Sequence, residues 1–216
     1  RKKYLDLYGG HAVISIGHQN QTYNRRLKKQ ISRIGFYSNA IQNPLQTQLA
    51  NEIEAQSGCK GYQMFMCSSG AEANEAAFKL ARRWALDKFG EQKQQIISFG
   101  KSFHGRTFFT VTVGGQASYS DGFGPKPGAV THAEFNNLDS VKALISDNTC
   151  AIVVEPIQGE GGIIPAKPEF LQGLRDLCDQ HNALLVFDEV QTGVGRTGKL
   201  YAYMNYGVTP DILTTA

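Results

Sequence analysis

Residues 184–191 read Leu184-Leu185-Val186-Phe187-Asp188-Glu189-Val190-Gln191. The four apolar residues do not alternate with polar ones, as they would in a strand with one wet face. Both faces must be covered, which marks a strand inside a parallel sheet, and the run then stops on a carboxylate. Working outward, Ala151-Ile152-Val153-Val154 stops in the same way on Glu155-Pro156-Ile157-Gln158. Ile96-Ile97-Ser98-Phe99 precedes Phe103-His104-Gly105-Arg106, and Met64-Phe65-Met66 precedes Ser68-Ser69-Gly70-Ala71. Phe109 to Val113 and Ile212-Leu213 are further strand candidates, and Tyr4-Leu5-Asp6-Leu7 alternates toward the Gly9-Gly10 turn. Helical patterns lie among these runs: Thr22–Ile34, Pro44–Ser57 (Leu45, Leu49 and Ile53 in step, Gly58 to close), Ala71 to about Lys88, Val141–Ile145 and Pro168–His181. The expectation is an α/β fold, a mainly parallel central sheet with helices on both faces. Ligands of such sheets bind at the carboxyl ends of the strands, where four polar segments converge here.

The composition agrees with a globular chain. Of 216 residues, 41% are hydrophobic and 19% charged, with 23 glycines against 7 prolines, which excludes disordered, collagen-like and coiled-coil classes. No run approaches the ~18 apolar residues of a membrane-spanning helix, so a soluble protein with no membrane partner is expected. A net charge of +3 is too small for a nucleic-acid footprint, and Arg25-Arg26 with Lys28-Lys29 read as a solvated helix face. Cys59, Cys67, Cys150 and Cys178 have neither metal-ligand spacing nor the density of a disulfide scaffold. No metal site is expected, and reduced, mostly buried thiols point to a cytoplasmic protein. Arg1 at one end, and Ala216 directly after a strand-like run at the other, read as the ends of an excerpt.

Each polar segment has an ordinary reading beside a functional one. Ser68-Ser69-Gly70-Ala71-Glu72 offers backbone N–H groups and a helix dipole to a phosphate, yet it also suits a plain serine N-cap. It has neither the lysine of a Walker loop nor GxGxxG, so nucleotides fit poorly. Asp188 can hold a positive ring nitrogen, bind a metal, or cap the next turn. Gln191 adds a neutral hydrogen-bonding group. Phe103 can stack on a planar ring and Arg106 can grip a carboxylate, or they are a core aromatic and a surface cation. Glu155 can pair with a cation, whereas Glu160 in its glycine-rich loop reads as a solvated acid. A hydrolase lacks its GxSxG elbow.

Four strings carry a resemblance: SSGAEANEAAFKLAR from Ser68, SFHGRT from Ser102, VVEPIQGEGG from Val153 and LLVFDEVQTGVGRTG from Leu184. Their order and content resemble the class III aminotransferases of fold type I, which use pyridoxal 5'-phosphate. YSDGFGPKP from Tyr119, EFLQGLRDLCDQHNALLVFDEVQ from Glu169 and LYAYMNYGVTPDILTTA from Leu200 look most like the branch acting on acetylornithine and succinylornithine in arginine metabolism. The resemblance implies cofactor contacts from Ser69, Gly70 and Ala71 at the phosphate, Phe103 and Val190 on the ring faces, Asp188 at the ring nitrogen and Gln191 at the 3-oxygen. It gives Arg106 to the substrate carboxylate and makes Glu155 a gate over an arginine beyond residue 216. Residues 1–40 would be an N-terminal segment of the small domain, and 41–216 a large cofactor-binding domain incomplete at its C-terminus. The family's Schiff-base lysine would directly follow Ala216; Lys101 and Lys199 do not occupy its position. Ser68, where relatives often carry Asn, and Gln19-Asn20-Gln21, where many have His-Pro, depart from the pattern. The implied reaction exchanges an amino group between an N-acylornithine and 2-oxoglutarate in a homodimer, and the substrates are an amino acid and a 2-oxo acid. Ornithine or 4-aminobutyrate aminotransferases and semialdehyde aminomutases share the scaffold, and a non-catalytic fragment without the lysine is the remaining alternative.

Overall fold

A computed structural model describes residues 2–36, 38 and 40–216, which cluster into two units, Arg1–Phe65 and Met66–Ala216. Arg1, read above as an end of the sequence, lies outside the described residues. In the first unit a single turn, α1 (Gly9–Ala12), contains the left-handed residues Gly10 and His11. Helix α2 (Gln21–Arg33) is capped by the Asn20 side chain, which accepts from Tyr23 N. Its basic residues Arg25, Arg26, Lys28 and Lys29 are exposed, as a solvated face requires. Helix α3 (Pro44–Ser57) starts behind Asn43, uses Pro44 where no N–H is needed, and ends on Gly58 at φ 78°. The alternating Tyr4–Leu7 segment forms no strand: Tyr4, Leu5 and Leu7 are more than four-fifths exposed, and no strand among the described residues pairs with them.

The second unit holds the sheet. Helix α4 (Gly70–Phe89) leads to β1 (Gln95–Phe99), the short helices α5 (Phe108–Val113) and α6 (Ala117–Ser120), β2 (Val130–Ala133) and α7 (Leu138–Lys142). Then follow β3 (Thr149–Val154), the small hairpin strands β4 (Ile157–Gln158) and β5 (Ile164–Pro165), helix α8 (Pro168–Gln180), β6 (Leu184–Asp188), a 3₁₀ turn (Ala202–Asn205) and β7 (Ile212–Thr214). The main sheet runs β2-β1-β3-β6-β7, parallel throughout. All its carboxyl ends therefore share one edge. Register places Val154 beside Phe187 and Asp188 beside Thr214.

Both faces are covered. Ala77, Phe78, Ala81 and Ala85 of α4 share a core with Ile96, Ala151, Val153 and Val186. Phe170 of α8 meets Phe99 edge-on, and Phe99 lies three residues from Ile96, on the opposite face of β1. Alanines on α4 let that helix approach the strands closely, while α8 fills its side with Phe170, Leu171 and Leu174.

Two further strand expectations fail, one in this unit and one across its start. Phe108–Val113 is helical, although its Phe, Thr and Val favour strands. Glu75 of α4 accepts from Phe109 N and Thr110 N, and Val111 N donates to Thr107 O, so a tertiary partner satisfies the first amides of a helical turn. Met64-Phe65-Met66 is not a strand, and Phe65 and Met66 stand exposed. Conversely, β2 had no sequence signal: Thr131 and His132 interrupt its apolar pattern, and only its pairing with β1 defines it. The helix expected over Val141–Ile145 begins earlier and ends at Lys142, leaving Leu144 and Ile145 in the following turn. Cys59, Cys150 and Cys178 are buried thiols and Cys67 is exposed. No described helix is long and apolar enough to cross a membrane.

Candidate functional site

Helix α4 starts at the carboxyl edge of the sheet. Ser69 is extended, and its hydroxyl accepts from Glu72 N at 3.2 Å, while the Glu72 carboxylate accepts from Ser68 N at 2.6 Å. This reciprocal cap uses those two amides and leaves Gly70 and Ala71, one residue further along, on the wall of a cavity. Gly70 is required by contact rather than by backbone angle. A Cβ there would lie 2.5 Å from Val190 Cγ1, so a side chain would drive the helix start away from the segment after β6.

Asp188 ends β6 facing the same cavity, buried to 4% exposure. Its Oδ2 accepts from Asn74 Nδ2 at 2.7 Å and faces His104 Nδ1 at 2.8 Å; its Oδ1 accepts from Val190 N at 3.0 Å. These partners hold the carboxylate in one orientation. His104 is wholly buried, and its other nitrogen lies 3.2 Å from Ser98 Oγ. Burial pulls the His104 pKa down, but the hydrogen bond and charge of Asp188, with a smaller push from Glu155, outweigh it and leave the pKa raised.

Glu155, one residue past β3, also lines the cavity. Its carboxylate accepts from Phe103 N at 3.1 Å and is bonded by the Gly159 amide. Burial dominates nonetheless and pushes its pKa up to about 8, with the charge of Asp188 adding to the shift and His104 opposing it. The adjacent acid Glu189 faces away, as strand alternation demands. It accepts from Thr192 Oγ1, from Ala202 N at 2.9 Å and from Tyr203 N at 2.8 Å.

Of the residues singled out from sequence, Gly70, Ala71, Phe103, Glu155, Asp188, Val190 and Gln191 line this one cavity. Ser69 stands just outside as the helix cap. Arg106 is exposed and is not among the lining residues; its guanidinium sits 4.8 Å from the Tyr119 ring, and Tyr119 in turn meets Phe103 edge-on at 5.7 Å. An Arg–Tyr–Phe chain therefore connects that cation to the cavity wall. No His, Cys, Asp or Glu cluster suited to a metal occurs among the described residues.

Sequence reasoning missed His104, Asn74 and Thr214. His104 lay inside a quoted motif, hidden by its neighbours Phe103 and Arg106. Asn74 is four residues after Gly70 and hence on the same helix face, a spacing that could have revealed it. Thr214 joins only through the pairing of β7 with β6, and no local pattern announces that.

The cavity brings together the first residues of α4, a buried carboxylate, an aromatic ring and a branched aliphatic, a lining whose chemistry suits a planar anion. Comparison with known proteins agrees. The family described as aminotransferase class-III matches residues 1–216. The chain is 56% identical over 214 residues to an acetylornithine aminotransferase of Vibrio vulnificus, covering 99% of this chain and 53% of that protein. It is 55% identical over 215 residues to a succinylornithine transaminase of Salmonella paratyphi B, covering 100% and 52%. Among solved structures it is similar to the ornithine aminotransferase of Toxoplasma gondii, which has PLP at partial occupancy in its active site. The TM-score is 0.90 at 31% identity, over 98% of this chain and 50% of that one. The chain thus spans about half the length of the curated relatives it matches.

Proposed function

This chain belongs to the class-III aminotransferase family, and we propose that the whole protein transfers an amino group between N-acetyl- or N-succinylornithine and 2-oxoglutarate, giving the acylated glutamate semialdehyde and glutamate. The observation that carries the reading is the pairing, across one cavity, of the free start of α4 with the buried Asp188. Those residues fit pyridoxal 5'-phosphate. Gly70 is a cradle that any side chain would fill, and the amides of Gly70 and Ala71 suit a dianionic phosphate at a helix N-terminus. When bound, that cofactor supplies an electron sink for the pair left as an amino substrate loses a proton.

The chain's own residues make the sink effective. Asp188, oriented by its buried donors, would pair with the ring nitrogen and hold a proton there. Phe103 and Val190, both on the cavity wall, would pack on the two ring faces and exclude water, and Gln191 would be the donor for the ring oxygen. Ser69 supports the phosphate end indirectly by capping α4. Arg106, held against Tyr119, takes the α-carboxylate of the acylated ornithine. Glu155 acts as a gate: neutral when buried alone, ionised when it covers an arginine from the part of the protein past residue 216. Residues 1–40 then belong to the small domain and 41–216 to the large one, in a cytoplasmic homodimer.

The test is direct. The purified whole protein, mixed with acetylornithine or succinylornithine and 2-oxoglutarate, should form glutamate and should carry a visible band that borohydride fixes to the polypeptide. Glutamate formed from free ornithine or 4-aminobutyrate, and from neither acylated donor, would move the reading to those branches of the scaffold. No band with any preparation would overturn it.

A further inference from the structure

Asn74 is a polar residue in the buried stripe of a helix whose other buried residues are Ala77, Phe78, Ala81 and Ala85. A buried amide is costly unless its hydrogen bonds are made. Here they are: Nδ2 donates to His104 O at 2.8 Å and to Asp188 Oδ2 at 2.7 Å, while Oδ1 accepts from Thr214 Oγ1 at 2.7 Å. The orientation is forced, because the flipped amide would set its oxygen against a carbonyl and a carboxylate. Asn74 can therefore only donate to Asp188.

The consequences fall differently on the two Asp188 oxygens. Oδ2 takes donors from Asn74 and His104. Oδ1 takes the Val190 amide, and the Thr214 hydroxyl approaches it at only 3.4 Å while its single proton is committed to Asn74 at 2.7 Å. Oδ1 thus keeps acceptor capacity. Asn74 also ties together α4, which starts at the phosphate end of the cavity, the His104 loop, the end of β6 and the end of β7.

We propose that Asn74, oriented by Thr214, is a positioning residue for the transamination: it engages Asp188 Oδ2 so that Oδ1 is the oxygen presented to the cofactor's ring nitrogen, and it fixes the spacing between that oxygen and the phosphate-binding start of α4. The proposal rests on the functional reading above. Asn74 borders the same cavity, and its role is exerted through Asp188.

The experiment uses the whole protein with Asn74→Ala, Thr214→Val, Asp188→Asn and the Asn74→Ala/Asp188→Asn double variant. It measures the affinity of each apoprotein for pyridoxal 5'-phosphate by equilibrium dialysis, together with kcat and KM. Asn74→Ala is expected to weaken cofactor affinity roughly tenfold and to lower kcat about ten- to a hundredfold, with the amino-donor KM changed less than about threefold. Thr214→Val should move both in the same direction by about threefold, and it carries the test if Asn74→Ala fails to fold. On the Asp188→Asn background, Asn74→Ala should change kcat less than about twofold, since its partner is already lost. An equal loss on both backgrounds would mean a general structural role and overturn the proposal. So would unchanged affinity and kcat in both single variants while Asp188→Asn is crippled, a result that leaves the functional reading standing. Normal turnover in Asp188→Asn would sink that reading first and this proposal with it.

Discussion

Asp188 and Glu189 are consecutive acids at the end of one strand, both almost fully buried, and their surroundings could hardly differ more. Glu189 looks into a closed set of partners, the Thr192 hydroxyl and the amides of Ala202 and Tyr203, all within the next fifteen residues. All three of these contacts serve to fold back the segment after β6. Asp188 draws its side-chain partners from α4 and the His104 loop, brought together over long sequence distances, and still borders a cavity. Burial alone therefore does not mark a functional acid. What separates the two is whether the donors are exhausted locally or assembled from distant elements around an open space.

The widest gap between the two acids should appear on exchange for amides. Asp188→Asn is expected to retain cofactor but lose turnover by about a thousandfold, read by steady-state kinetics on the whole protein, because the ring nitrogen loses its anionic partner. Glu189→Gln should do the reverse. Its NH₂ would confront N–H donors, costing about 2–4 kcal/mol in a denaturant titration, with kcat per folded molecule within a few-fold of the parent. Comparable kinetic losses in both variants would erase the distinction.

A third acid sharpens it. Glu155 has a folded pKa pushed up from 4.5 to about 8, so the folded state holds a proton that the unfolded state releases between those pH values. Below about pH 4.5 this ionisation penalty is absent, and stability falls as pH rises toward 8. Glu155→Gln should therefore be more stable than the parent in a denaturant titration at pH 9, by up to roughly 5 kcal/mol, and should show no such gain near pH 4. A gain independent of pH would place the ionisation elsewhere. The smallest effect belongs to the exposed Arg106. Arg106→Lys should raise the acylornithine KM roughly tenfold while the protein stays equally stable, since an ammonium cannot reproduce the two-pronged grip on a carboxylate. An unchanged KM would assign the carboxylate to another residue.

Much of the site was legible because chemistry at strand ends is local in sequence. Asp188 and Glu155 each follow an uninterrupted apolar run, and Gly70 sits at a strand-free turn into a strong helix, so composition alone drew attention to them. His104 and Asn74 were not legible in the same way. A histidine between Phe103 and Gly105 carries no sign of its burial, and an asparagine in an alanine-rich helix reads as surface until the helix face is known.

The sequence by itself determined the periodicities: which segments are buried on two faces, where helices are entered or closed at Pro44, Ser69 or Gly58, and that the buried strands belong to a mainly parallel sheet. Tertiary structure decided the rest. It made Phe108–Val113 a helix by offering Glu75 to its first amides, gave β2 a partner in β1, and left Met64-Phe65-Met66 unpaired. It also brought Asn74, His104, Asp188 and Thr214 within hydrogen-bonding distance of one another. The physical reason is the same throughout: local sequence fixes what each residue requires, an apolar neighbour or a hydrogen-bond partner, but only the folded chain decides which distant residue meets the requirement.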